Sequence, residues 1–341
     1  MISAAATLTT LRRAMLPMDG CIADHAEAIL AAAADALPRA AWAKLNYVDL
    51  TAGSCMLPLA FAAQGVRRVV VNDTATRTIV AARGLFEGSK LDGALVERVL
   101  DRRRSQRRAH TPSFHFASDY LTAEICEIFD LMFHADLAPP LAATMRYLAL
   151  RYVLDCADPE DGFRILMTHD RAQLRADRET SWTAFLARLD DGRDRIAARL
   201  AEITAGQAAI ATRDVVIHQG DMRDIARIVD YDLPCLVVVN PPTNGVDEYV
   251  IEDQIVHSLI ANRLVPLTRC TETPEGFWRD RVKAALSALP GGALFVVWGG
   301  DGAMQAEACE AVWARYGDCV HLAEAGVTGT RAALWGVFRR R

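Results

Sequence analysis

No CxxC pair occurs in this chain, although it holds eight cysteines (Cys21, Cys55, Cys126, Cys156, Cys235, Cys270, Cys309 and Cys319), and no Cys/His set stands at zinc spacing. The pattern excludes a disulfide-stapled scaffold and a zinc finger. It fits isolated apolar thiols in a reducing compartment. The eight histidines show no metal spacing either, so no metal is expected. A basic excess is also lacking: the formal net charge is −5, which argues against a histone-like binder but leaves room for a local basic patch. No apolar run reaches the roughly 20 residues that cross a bilayer. Arg12 and Arg13 are not followed by the apolar core of a signal peptide. A cytoplasmic protein with no membrane attachment is the expectation.

What the chain does have is enough apolar material for a substantial core, 52% of 341 residues. Residues 23–44 are alanine-rich with helical spacing and predict one or two helices. "LNYVDL" (45–50) then reads as a strand, "CMLPLAFAAQG" (55–65) as a helix ending on Gly65, "RRVVVND" (67–73) as a second strand and residues 74–88 as a second helix. This alternation indicates a right-handed parallel βαβ unit and an α/β fold. The pattern loosens from about 89 to 212, where "SFHF" (113–116), "DLMFHA" (130–135) and "GFRILMTH" (162–169) are strand candidates and residues 181–203 form a long amphipathic helix. Alternation returns with strands at 214–221, 235–240 and 293–300 and helices at 248–264, 277–292 and 303–317. Two further strands (318–325 and 331–341) suggest a final hairpin, hence a mixed sheet with an antiparallel edge. The implied organisation is 1–90 as helices plus the first half of a core, 91–212 as an inserted lobe and 213–341 as the second half.

Three short stretches carry chemistry. In "DLTAGSC" (Asp49 to Cys55) a strand ends in a turn of small residues, Thr51, Ala52, Gly53 and Ser54, which lets a ligand approach the backbone near a helix N-terminus. Asn72 and Asp73 close the second strand, where a carboxylate can accept hydrogen bonds from a ribose and can also cap a helix. In "CLVVVNPPTNG" (235–245) an apolar strand stops at Asn240 because Pro241 and Pro242 lack N–H donors and fix φ. A rigidly projected amide and a proline carbonyl offer two acceptors to an exocyclic amino group.

In this order, "DLTAGS", "VVVND", "QGD" (219–221) and "NPPT" (240–243) resemble the cofactor and catalytic motifs of amino-group nucleic-acid methyltransferases, and in particular the Dam-type class of DNA adenine-N6 methyltransferases. The resemblance covers residues 45–90 and 213–340. It implies a Rossmann-like class I methyltransferase sheet with an antiparallel C-terminal hairpin and a mostly helical inserted lobe that recognises the target. It also implies S-adenosylmethionine as cofactor: Asp49, Thr51, Ala52, Gly53 and Ser54 near its methionine part, Asn72 and Asp73 at the ribose, and Asp221 with Met222 near the adenine. Asn240, Pro241, Pro242 and Thr243 would form the catalytic motif. The chain departs from the pattern at Leu50, Thr51 and Cys55, where the family has Pro-Phe and a second glycine. It departs again at Thr243, where the family has an aromatic that stacks on a flipped base. Either a neighbouring aromatic such as Tyr249 or Trp298, or a protein partner, supplies that stacking, or the target is not a base extruded from a duplex.

Residues 55–65 with the preceding turn also resemble the opening of RsmD-type RNA guanine-N2 methyltransferases. An RNA base is therefore the alternative substrate to DNA, and a non-catalytic nucleic-acid-binding subunit or a small-molecule amine methyltransferase are the remaining rivals. The stretch 114–140 echoes 216–242, with Asp119 to Pro139 matching Asp221 to Pro241. The second copy is preferred for the third and fourth strands because Asn directly precedes Pro-Pro; with the first copy, Asp119 and Asp136 would enter the pocket. The run Arg102, Arg103, Arg104, Arg107 and Arg108 lies in the inserted lobe, where it is expected either to bind phosphates or to form a solvated helix end.

Overall fold

The structure, a computed structural model, describes residues 4–16, 25–105, 123–156, 192–240, 256–263, 265, 278–301, 315–325 and 333–341. The chain divides into two compact units, one of Met1–Ile79, Ala208–Val246 and Cys270–Arg341, the other of Val80–Gln207 and Asp247–Arg269.

The first unit holds one seven-stranded sheet in the order β3-β2-β1-β4-β5-β7-β6. Its strands are β1 (Asn46–Asp49), β2 (Arg68–Asp73), β3 (Asp214–Gln219), β4 (Cys235–Val239), β5 (Leu294–Asp301), β6 (Gly317–Ala325) and β7 (Ala333–Arg340). β3, β2, β1, β4 and β5 are parallel, and β7 runs antiparallel to both β5 and β6. The C-terminal hairpin thus forms as expected. Its antiparallel strand is not at the edge, however, because β7 inserts between β5 and β6 and leaves β6 outermost. The composition explains the order: Trp335, Val337 and Phe338 of β7 are buried, whereas β6 exposes Asp318, Cys319 and Val320.

Central strands are buried throughout, all four residues of β1 and all five of β4, while edge strand β3 is only partly covered. The continuous apolar run Leu236–Val239 is the signature of a strand covered on both faces. β3 and β4 come from the second of the two echoing stretches. The first copy is different: "DLMFHA" is not a strand, because Ala123–Phe133 is a helix. Its buried residues Ile125, Cys126, Phe129, Met132 and Phe133 recur at three- and four-residue spacing, which a strand cannot bury on one face. "SFHF" and "GFRILMTH" lie outside the described residues.

Flanking the sheet in this unit are α1 (Ala4–Ala14), α2 (Ala26–Ala36), a 3-10 turn at Arg39–Lys44 and α3 (Met56–Ala63). Leu37-Pro38 ends α2, since a residue before proline is driven out of helical geometry. The start of α4 (Thr76–Ala82) and the Met222–Ile228 helix also belong here. In the second unit every described element is helical: α5 (Gly93–Ser105), Ala123–Phe133, Pro139–Cys156 and most of Gly192–Ala209. Glycine at 84 permits a close crossing there, since a Cβ on it would lie 2.3 Å from Tyr147 Cβ. Arg199 ties the last two helices together through Asp155 at 2.6 Å and also donates to Glu202 of its own helix at 2.6 Å. Among the described residues no helix is long and apolar enough to cross a membrane.

Candidate functional site

From β1 the chain runs to β2 and β3 on one side, then crosses to β4 and β5 on the other. The strand order therefore reverses between β1 and β4, and in open parallel sheets the crevice at the carboxyl ends of such a pair is where ligands bind. The residues singled out in the sequence converge on that edge: Asp49 ends β1, Asp73 ends β2, Gly220 and Asp221 follow β3, and Asn240 follows β4.

Asp49 is built from below. The Trp42, Phe61 and Tyr47 rings stack with centroid separations of 5.3 Å and 4.4 Å, which fixes Tyr47 in the core. Its hydroxyl donates to Asp49 Oδ2 at 2.8 Å, and the Thr51 N–H donates to Asp49 Oδ1 at 3.1 Å. Burial pushes the Asp49 carboxyl up to about 7; these two hydrogen bonds oppose the rise and the nearby charge of Asp73 adds to it.

The turn after β1 is tied to β2. The Ala52 N–H donates to the Asn72 carbonyl at 2.9 Å, the Gly53 N–H to Asp73 Oδ2 at 2.8 Å, and the Thr78 hydroxyl to the Gly53 carbonyl at 2.9 Å. Gly53 has φ of +49° and Cys55 has φ of +64°. Cys55 thus holds a left-handed backbone that a glycine would adopt freely, at a cost of roughly 1–2 kcal/mol. Its side chain is fully buried and its thiol faces the Thr78 carbonyl at 3.8 Å. Ser54 Oγ accepts from the Met56 N–H at 3.3 Å at the start of α3.

Asp73 is half-buried. Its oxygens take the Gly53 and Ala75 N–H groups, and desolvation raises its pKa against those bonds and the charge of Arg77. Asn72 is fully buried and donates both amide hydrogens, to the Leu50 carbonyl at 2.9 Å and the Gly220 carbonyl at 3.0 Å. It clamps the ends of β1 and β3 to β2 rather than facing the crevice.

Asp221 departs from the role the resemblance gave it. It caps the 222–228 helix through the Arg223 N–H at 2.9 Å, takes both Nε and a terminal nitrogen of Arg223 at 2.9 Å, and takes Arg281 at 2.5 Å. A carboxylate offers about four acceptor positions and all are used, so no position remains for an adenine amino group. Burial alone would raise its pKa, but the two arginines and the backbone bond outweigh it and hold it below the usual carboxylate range. Met222 is buried in the core beside Val48, Val70 and Val237.

At β4 the Asn240 N–H donates to Thr51 Oγ1 at 2.6 Å, joining the ends of the two strands at the switch point. Pro241, Pro242 and Thr243 lie outside the described residues, as do Arg107 and Arg108. Arg102, Arg103 and Arg104 fall at the carboxyl end of α5 in the second unit. Of the proposed cofactor residues, Thr51, Gly53, Asp73 and Asp221 reach the surface in part, while Asp49, Ala52, Ser54, Asn72 and Met222 are buried and shape the turn from beneath. Tyr47, Thr78 and Arg281 were not anticipated. Only Tyr47 left a signal, standing two residues before Asp49 and hence on the same side of β1.

The fold and this edge define an α/β protein with a seven-stranded, mostly parallel, Rossmann-like sheet whose strand order reverses between β1 and β4. No protein-family model matches the chain, and no curated protein matches it.

Proposed function

We propose that the chain is an S-adenosylmethionine-dependent methyltransferase acting on an exocyclic amino group of a nucleic-acid base, adenine N6 of DNA in the first instance. The observation that carries this reading is the convergence of the Asp49–Ser54 turn, Asp73 and Asn240 at the carboxyl ends of three neighbouring parallel strands. A glycine turn at the end of one strand and an acid 20 residues on at the end of the next, beside a switch point, is the arrangement used for nucleosides, and here the Gly53 N–H also donates to that acid. The donor set fits the cofactor in part. Asp73 is partly exposed and, after its backbone bonds, retains acceptor capacity for a ribose hydroxyl. The Thr51–Ser54 turn supplies a close backbone surface for the amino-acid part. Asp221 is committed to its arginines, so the adenine amino group has to find another acceptor.

When bound, the cofactor supplies an electrophilic methyl group on a sulfonium. The chain's own task is positioning. The Asn240 amide oxygen and the Pro241 carbonyl are two acceptors for the two hydrogens of a primary amine, which directs the nitrogen lone pair without a covalent intermediate. Methyl transfer from labelled S-adenosylmethionine to duplex DNA, single-stranded DNA and total RNA, followed by digestion to nucleosides, tests the reading. Label in N6-methyldeoxyadenosine supports it. Label in a ribonucleoside moves the activity to RNA, and no label in any of the three refutes it.

A further inference from the structure

We propose that Thr51 is the positioning residue for Asn240, a role that rests on the methyltransferase reading. In the parallel β1–β4 ladder Asp49 lies opposite Val238, and the Leu50 N–H donates to the Val238 carbonyl at 3.0 Å. The next rung of such a ladder runs from the Asn240 N–H to the Leu50 carbonyl. That carbonyl instead accepts from Asn72 Nδ2 at 2.9 Å, and the Asn240 N–H goes to the Thr51 hydroxyl at 2.6 Å. A side-chain oxygen one residue further on has replaced the backbone rung.

Two consequences follow from chemistry. Pro241 and Pro242 have no N–H, so the Asn240 amide is the last backbone donor with which the chain leaving β4 can be held for two residues. Thr51 is itself fixed, since its N–H is bound by Asp49, Asp49 by the Tyr47 hydroxyl, and the Tyr47 ring by Phe61 at 4.4 Å. A continuous path from the core therefore ends on the amide that sets where the Asn240 side chain emerges.

The test compares Thr51→Val, which keeps the shape and removes the acceptor, with Thr51→Ser, which restores it, both in the full chain. Amide hydrogen exchange at Asn240, which needs no activity, is expected to be slow in the unsubstituted protein and Thr51→Ser and at least about tenfold faster in Thr51→Val. In the transfer assay Thr51→Val is expected to lower kcat by about 10- to 100-fold, while the S-adenosylmethionine Kd stays within about threefold and Thr51→Ser recovers most of kcat. Equal losses in the two variants, an unchanged kcat in Thr51→Val, or a loss of cofactor affinity that matches the loss of kcat would each overturn the role. An unprotected Asn240 amide in an active protein overturns the role of Thr51 alone. Absence of transfer by the unsubstituted protein overturns the methyltransferase reading and the role together.

Discussion

Replacing Asp49 by asparagine should change how the stability of this protein depends on pH more than it changes the stability itself. Asp49 is 2% exposed and its carboxyl is raised from 3.8 to about 7, chiefly by burial. At roughly 1.36 kcal/mol per pH unit, that gap corresponds to on the order of 4 kcal/mol. The sign follows from which state holds the proton more tightly. The folded carboxyl has the higher pKa, so the stabilisation is fully present below about pH 4, is lost as pH rises to about 7, and is level above that. Asparagine has no such titration. It also has one oxygen for two donors, the Tyr47 hydroxyl and the Thr51 N–H, so it adds a pH-independent cost of about 1 kcal/mol. Urea denaturation between about pH 4 and pH 8 separates the two effects. The stability difference, unsubstituted protein minus Asp49→Asn, should fall by on the order of 4 kcal/mol across the range. Parallel profiles, or an Asp49 carboxyl carbon that titrates near pH 4 by NMR, would refute the reasoning.

Other perturbations test separate parts of the structure. Gly84→Ala places a methyl 2.3 Å from Tyr147 Cβ, so it should destabilise the helical unit by about 1–3 kcal/mol, read from the urea midpoint or from hydrogen exchange within residues 139–156. Arg281→Met removes one of the two arginines on Asp221 and should cost about 1 kcal/mol at neutral pH. Because Asp221 is held below its ordinary pKa, that cost should shrink as pH falls through the carboxylate range, and an unchanged cost in acid would contradict the pairing. If the inserted lobe binds phosphates, changing Arg102, Arg103 and Arg104 to alanine should reduce the slope of log affinity for nucleic acid against log salt by about 1 for each phosphate no longer neutralised. An unchanged slope would leave those arginines as a solvated helix end.

Much of the sheet was legible because buried parallel strands have an unmistakable composition. Leu236–Val239 and Val69–Val71 read as covered strands and are covered, and the choice of 216–242 over 114–140 rested on Asn240 standing before two prolines. The stretch 130–135 misled because its apolar residues satisfy a short strand and one helical face equally well. Only the longer spacing from Ile125 to Phe133 decides between them. The hairpin was visible, but not the insertion of β7 inside β6, since strand order depends on which strand buries more apolar area. In the candidate site, the turn and acids could be found by motif, whereas their partners could not. Thr51 and Asn240 are 189 residues apart, and Arg281 lies 60 residues from Asp221. Hydrogen bonds at such separations leave no local pattern. The same distance hid the fact that Asp221, chosen for a ligand, is occupied by its own arginines.

If S-adenosylmethionine binds at the carboxyl ends of β1, β2 and β4, calorimetric titration of that compound into the full chain reports it without any need for methyl transfer. Saturable one-to-one binding is expected, weakened at least about tenfold in a folded Asp73→Ala variant, because the ribose loses its charged acceptor. No binding heat in the unsubstituted protein, or equal affinity in the Asp73→Ala variant, would contradict it.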